Sequence, residues 1–178
     1  MIFKRLLIII FLLLSTQVDA FQLKKSIQKK VNKEVAKTFD TKNFALKSIT
    51  VSSDLNTKLY HKTHKSNLSK IVQENQIIGY VFIAKAPSKT DQFDYLIILD
   101  KDLIIKKVKV LVYREDYGGE IGSRRWLKQF IGKTSGENLK YTKDIIAISG
   151  ATISAQSMTV AVNTFLKDLV VFKANNIL

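Results

Sequence analysis

Ile148-Ser149-Gly150-Ala151-Thr152-Ile153-Ser154 gathers the residue types from which an anion site is built. Ser149, Thr152 and Ser154 bring hydroxyls that can donate, accept or be esterified. Gly150 permits backbone angles closed to other residues, and Ala151 is small enough to let a bulky group approach. The apolar spacing that follows predicts a long helix from about Ser154 to Lys173. The motif thus stands where a helix N-terminus offers unpaired N–H groups and partial positive charge. The same residues also form an ordinary turn and helix cap, because Ser, Thr and Gly are common before a helix. The local pattern leaves both readings open.

Chemistry elsewhere in the chain is restricted by what it lacks. There is no Cys, which removes disulfides, thiolate metal sites and Cys nucleophiles. The two histidines, His61 and His64, flank Lys62-Thr63 and read as a surface loop rather than a metal pair. Asp91, Asp94, Asp100 and Asp102 lie near predicted strand ends, where acids mark turns. Ser149 and Ser154 have no evident His partner for hydrolase chemistry. Such a chain needs few side-chain catalysts, or a bound cofactor that carries the reaction.

The elements that must hold the motif can be read in order. With 178 residues, 46% of them hydrophobic, the chain is long enough for one well-cored domain and too apolar for disorder. Residues 1–20 read as a signal peptide: Lys4 and Arg5, an apolar run from Leu6 to Leu14, then Val18 and Ala20 at cleavage-site spacing. Nine apolar residues are too few to span a bilayer. The expected location is therefore exported: periplasmic, or on the periplasmic face of the membrane. Loss of Lys4, Arg5 and Asp19 takes the net charge only from +14 to +13, a field that favours anionic partners. No basic run interleaved with aromatics points to nucleic acid.

Residues 21–75 form a basic N-terminal helical region with a strand. Leu23, Ile27, Val31, Val35 and Phe39 make a narrow stripe flanked by lysines, a helix either docked on its own domain or lying on an anionic membrane. Asn43–Val51 reads as a strand, and Ser66–Asn75 as a short helix capped by Ser66 or Asn67. From residue 76 to 178 the patterning predicts strands Ile77–Ala86, Phe93–Leu99 and Leu103–Tyr113, joined tightly enough to demand an antiparallel meander. In the third, Ile104, Val108, Val110 and Val112 are assigned to a buried face, Lys107 and Lys109 to a wet one. Tyr117–Gly122 is a glycine-dense loop. Ser123 caps a helix through Trp126, Leu127 and Phe130 that stops at Gly132, and Ile145–Ile148 is a short strand. The class is α+β, an antiparallel sheet packed with helices in one domain.

Ile148–Ser154, followed by Val160-Ala161-Val162-Asn163, resembles the signature of the FMN-binding domain family, which occurs in the sodium-translocating NADH:quinone reductase and in the related Rnf complexes. Arg114-Glu115-Asp116-Tyr117-Gly118, with Trp126, Phe130 and Gly132, is similar to the family's Glu-Thr-Pro-Gly loop and aromatic helix. Glu115 and Gly118 match; Asp116 and Tyr117 replace Thr and Pro, and Glu120 stands where a second Gly is common. The resemblance implies FMN as cofactor, held by Ser149, Gly150, Ala151, Thr152, Ser154, Glu115 and Gly118, with its phosphate joined to Thr152 by a flavin transferase. It implies an electron relay with a membrane-bound redox partner. Tyr113, Tyr117, Trp126 and Met158 are the candidates to pack against the ring, and Arg114, Arg124 and Arg125 to favour its anionic reduced form. One position departs from the signature: the acid usual six residues before the Thr is Ile146, and Asp144 lies eight ahead. Covalent and non-covalent FMN therefore both stay open. The competing expectation, from a different class, is a non-catalytic basic module that binds an anionic membrane surface or an acidic protein.

Overall fold

The computed structural model describes residues 25–63 and 67–178. The expected signal peptide, the cap at Ser66 and the ring of His64 lie outside those residues. Five strands form one sheet in the order β1-β2-β3-β4-β5, every neighbour antiparallel. They are β1 (Ala45–Ser48), β2 (Leu68–Gln73), β3 (Gln76–Pro87), β4 (Gln92–Asp100) and β5 (Ile105–Val112). Helix α1 covers 25–39, α2 is Ser53–Thr57, α3 is Arg124–Leu127 and α4 is Thr152–Ala174. None of the described helices is long and apolar enough to cross a membrane. The expected α+β class and meander are both present, with two strands more than the three read with most clarity.

Strand β4 is buried along nearly its whole length, so both faces of the sheet are covered. Phe93, Tyr95, Ile97 and Leu99 face α4, where Phe82 of β3 stacks on Phe165 with centroids 4.3 Å apart. Leu96 and Ile98 face the other way and pack with Val31 and Val35 of α1. The apolar stripe of α1 is thus buried on the protein's own sheet. Gly79 of β3 makes room for that contact, because a Cβ there would stand 2.6 Å from Cζ of Phe39. The face of β5 expected to be wet is instead roofed by α1: Lys107 pairs with Glu34 at 2.8 Å, and Lys30 Nζ donates to Leu111 O at 2.7 Å.

Two local expectations are corrected. Leu68–Gln73 is a strand, not part of a helix. Leu68 and Ile71 are buried from opposite faces, one in each core cluster. Glu74 and Asn75, both at positive φ, supply the tight turn that returns the chain into β3. Ile145–Ile148 is not a strand either; its only ladder contact among the described residues is the bridge Tyr141–Ile145. Side chains replace the missing strand partner: Trp126 Nε1 donates to Ile146 O at 2.6 Å, and Ile146 N donates to Gln129 Oε1 at 2.8 Å. Asn163 of α4 holds the preceding segment by bonding both N and O of Leu139.

Candidate functional site

Helix α4 begins two residues earlier than the apolar spacing suggested, so Thr152 is its first residue and Ala151 its N-cap. Alanine has no side-chain acceptor, and no side chain caps the helix. The ordinary turn-and-cap reading of the motif is therefore not what the hydroxyls do. The first N–H groups of α4 have no intrahelical partner, and they face a cavity of about 600 Å³. Thr152 is exposed on its rim. Ser154 is buried, its hydroxyl 3.0 Å from that of Tyr113. Gly150 turns the chain at φ 79°.

The opposite wall is the segment leaving β5, from Tyr113 to Gly118. Gly118 holds φ 82°, and a Cβ on it would lie 2.8 Å from the Tyr113 hydroxyl and 3.6 Å from Cα of Ala151. A larger residue would push this wall off the motif. The two stretches singled out in the sequence, some thirty positions apart, thus form one cleft. Ser149 alone among the expected site residues does not line it; it is exposed in the preceding turn.

Glu115 sits in the wall as a clamp. Its Oε1 accepts from Thr90 N at 2.6 Å, Ser88 Oγ at 2.8 Å, Thr90 Oγ1 at 3.1 Å and Asp91 N at 3.1 Å. The Thr90 amide first, and then these other donors, hold the carboxyl down at about 2. The clamp brings the β3–β4 turn, with Lys89 and Thr90, to the cavity edge. Those two residues were not expected at the site. No local pattern marks them, because they arrive through a hairpin.

Several expected ring contacts and charges lie elsewhere. Tyr113 and Tyr117 line the cavity, and Tyr117 is 85% exposed. Trp126 is buried edge-to-face on Phe130, and Met158 is wholly in the core. Arg114 reaches the cavity wall, but its guanidinium is engaged by the Asp94 carboxylate and by Gln92 O at 2.7 Å. Arg124 lines a different cleft, and Arg125 is exposed outside the cavity wall. Asp94, third residue of β4, lies near a strand end as expected but is buried against Arg114 rather than marking a turn, whereas Asp100 does hold its turn by accepting from Asp102 N and Ile104 N. Ile146, at the departing position, is 70% exposed, and Asp144 accepts from Lys140 N within its own turn.

His61 is not in a free loop. Its Nδ1 lies 3.0 Å from Oδ2 of the buried Asp168, and its Nε2 is 3.1 Å from the Tyr95 hydroxyl. Asp168 also accepts from the backbone N of Tyr60 and His61. Burial, with the Asp168 charge added, pushes the Tyr95 phenol upward. Sequence alone carried no sign of this junction, which joins residues more than a hundred positions apart.

The cleft suits a phosphate-bearing planar cofactor on three observations: uncapped N–H groups on one wall, an esterifiable hydroxyl at the rim and an exposed tyrosine beside it. None of the curated proteins matches the chain. The FMN-binding domain family matches residues 89–167, a span that begins at the β3–β4 turn, contains both walls of the cleft and ends inside α4. Residues 89–167 are therefore an FMN-binding domain, and the chain is a flavoprotein with FMN as its cofactor.

Proposed function

We propose that this flavoprotein is an exported one-domain electron carrier whose FMN is joined through its phosphate to Thr152. The observation that carries the reading is the uncapped start of α4 with Thr152 as its first residue. There the N–H groups of the first turn offer hydrogen bonds and partial positive charge to a phosphate, and the Thr152 hydroxyl projects at the rim. Lys89 adds a full charge on the far side of the cleft. When bound, FMN supplies the electron-accepting and electron-donating chemistry. The protein's own residues do the rest. Gly118 keeps the walls close, Glu115 fixes the β3–β4 turn, the Tyr113–Ser154 hydroxyl pair ties wall to helix, and Tyr117 offers a face for the ring. No general base or nucleophile is required, which agrees with a chain poor in His and lacking Cys.

Attachment needs an activated flavin donor and a flavin transferase. A phosphoanhydride bond of the donor would break as the bond from phosphorus to Thr152 Oγ1 forms; the donor's other phosphate would leave with the remainder of the donor, and the hydroxyl proton would pass to a base of the transferase or to water. Ile146 bears on this step alone, because its side chain points to solvent and lines no part of the cleft. The export reading rests on the pattern of residues 1–20, and the membrane-bound redox partner on the family resemblance alone.

The test is acid precipitation of protein from cells that contain a transferase. Flavin fluorescence in the pellet, with an FMN-sized mass gain on the peptide containing Thr152, is expected. The Thr152→Ala variant is expected to lose it completely while keeping its melting temperature. Acid-stable flavin retained in that variant would remove Thr152 as acceptor. Flavin found only in the supernatant of the parent would leave a carrier that holds FMN without a covalent bond.

A further inference from the structure

On the far side of β5 from the rest of the sheet lies a second cleft, of about 460 Å³, between α1 and the segment from Gly122 to Ile131. Its charge is nearly all of one sign. Lys37 stands on the α1 wall, Arg124 and Lys128 on the other, and Lys106, Lys107 and Lys109 of β5 along the floor. Glu34 is the one acid there, and it is already paired with Lys107. Burial raises the Glu34 carboxyl, but the Lys107 bond and charge, then Lys109 and Lys37, outweigh this and hold it below its ordinary value. No ion pair forms at the other five cations among the described residues.

The floor has a second property. β5 is an edge strand. At one end its outer edge is closed by Ile105, which exchanges backbone bonds with Lys133 O and Gly132 N at 2.8 Å each. At the other end Lys30 Nζ caps Leu111 O. Between them, among the described residues, no bond leaves the outer edge of residues 106–110. Lysines on an edge strand do discourage pairing with further copies of a basic chain. They favour the opposite for an acidic one, and a strand edge at the bottom of a trench is out of reach of a flat surface.

We propose that this cleft docks an extended acidic segment of a partner protein, which adds to the β5 edge over residues 106–110 and places its carboxylates between the two cationic walls. A bilayer meets the rims of such a trench and not its floor, and a compact anion makes no use of the open edge. The proposal stands apart from the flavin reading, since the cleft shares no residue with the FMN cleft.

The experiment measures binding of a fluorescent peptide of alternating Glu and Thr to the mature chain by anisotropy, with and without flavin attached. Lys106→Glu combined with Lys109→Glu is expected to weaken binding about tenfold or more, and Arg124→Glu with Lys128→Glu, on the exposed wall, to do the same without touching the sheet. A control pair of equal charge change, Lys143→Glu with Lys173→Glu, is expected to weaken it far less. A peptide of the same sequence N-methylated at both Glu and Thr is expected to bind markedly worse, because neither of its edges can donate to the ladder. Equal losses in trench and control pairs, equal binding of the N-methylated peptide, or trench-dependent binding of phosphatidylglycerol vesicles without peptide binding would each overturn the proposal. Loss of flavin in Thr152→Ala with peptide binding intact would separate this site from the flavin one.

Discussion

Two carboxylates, Glu115 and Asp168, perform the same task in opposite surroundings. Each gathers backbone donors from a distant stretch of chain: Glu115 takes Thr90 N and Asp91 N, and Asp168 takes Tyr60 N and His61 N. Glu115 does so at the rim of the cleft beside the start of α4, where water can replace the backbone donors it loses. Asp168 does so in the core, 1% exposed, with His61 and Tyr95 as further polar neighbours. Burial decides what each clamp governs. The buried one holds the fold together, because groups it abandoned would have no other partner. The exposed one governs geometry, because its loss frees a turn and leaves only the Ser88 hydroxyl buried without it.

The comparison can be broken most directly at Asp168. Asp168→Ala should cost about 3 kcal/mol, from the stranded Tyr60 and His61 amides and the unpaired His61 ring. Urea denaturation would show it, along with a melting point lower by roughly 10 °C. Folded variant protein should still carry flavin normally, and a loss under about 1 kcal/mol would sink the idea that this junction supports the core. Gly118→Ala comes next. It forces a side chain into a left-handed conformation against the Tyr113 hydroxyl, costs about 1–2 kcal/mol, and should reduce flavin loading by more than that loss of stability explains.

Glu115→Gln should leave the melting point almost unchanged while reducing FMN retention in a Thr152→Ala background, read by equilibrium dialysis. A large drop in melting point with normal retention would reverse the assignment of the two clamps. The smallest effect is one of pH. The folded carboxyl of Glu115 is depressed to about 2 from an ordinary 4.5, so its contribution is complete above the ordinary value and fades as pH falls through the folded one. The amide resonances of Thr90 and Asp91 should therefore titrate together with a midpoint near 2; a midpoint near 4.5 would mean the clamp is not formed in solution.

How much of this was written locally in the sequence varies by element. β3, β4, β5, α3 and α4 carry their own periodicity and turn residues, and each lies within a few positions of where the pattern puts it. β2 was hidden because Leu68 and Ile71, three apart, imitate helical spacing; in a strand that odd spacing puts them on opposite faces, and both faces of this sheet are buried. Ile145–Ile148 looked like a strand because it is apolar, yet its partners are the Trp126 and Gln129 side chains. At the site, the motif and the Glu115–Gly118 loop were visible as residue types. Lys89, Thr90 and the clamp that brings them in were not, since pairing across a hairpin turn leaves no trace in a linear window. Nor could composition distinguish Arg114, engaged by Asp94, from a free cation.

The sequential order of the sheet has a kinetic side. Each strand pairs with the one just made, and β2 to β5 can assemble through short loop closures that cost little entropy; only β1 joins across a longer link, which carries α2. α4 is different: it is the last element of the chain, and it packs back across the sheet onto β3. Thr152 becomes the first residue of a docked helix, opposite Gly118, only once that final step is complete. Until then the chain has a threonine but no cleft, so the flavin attachment proposed above would report that folding has finished.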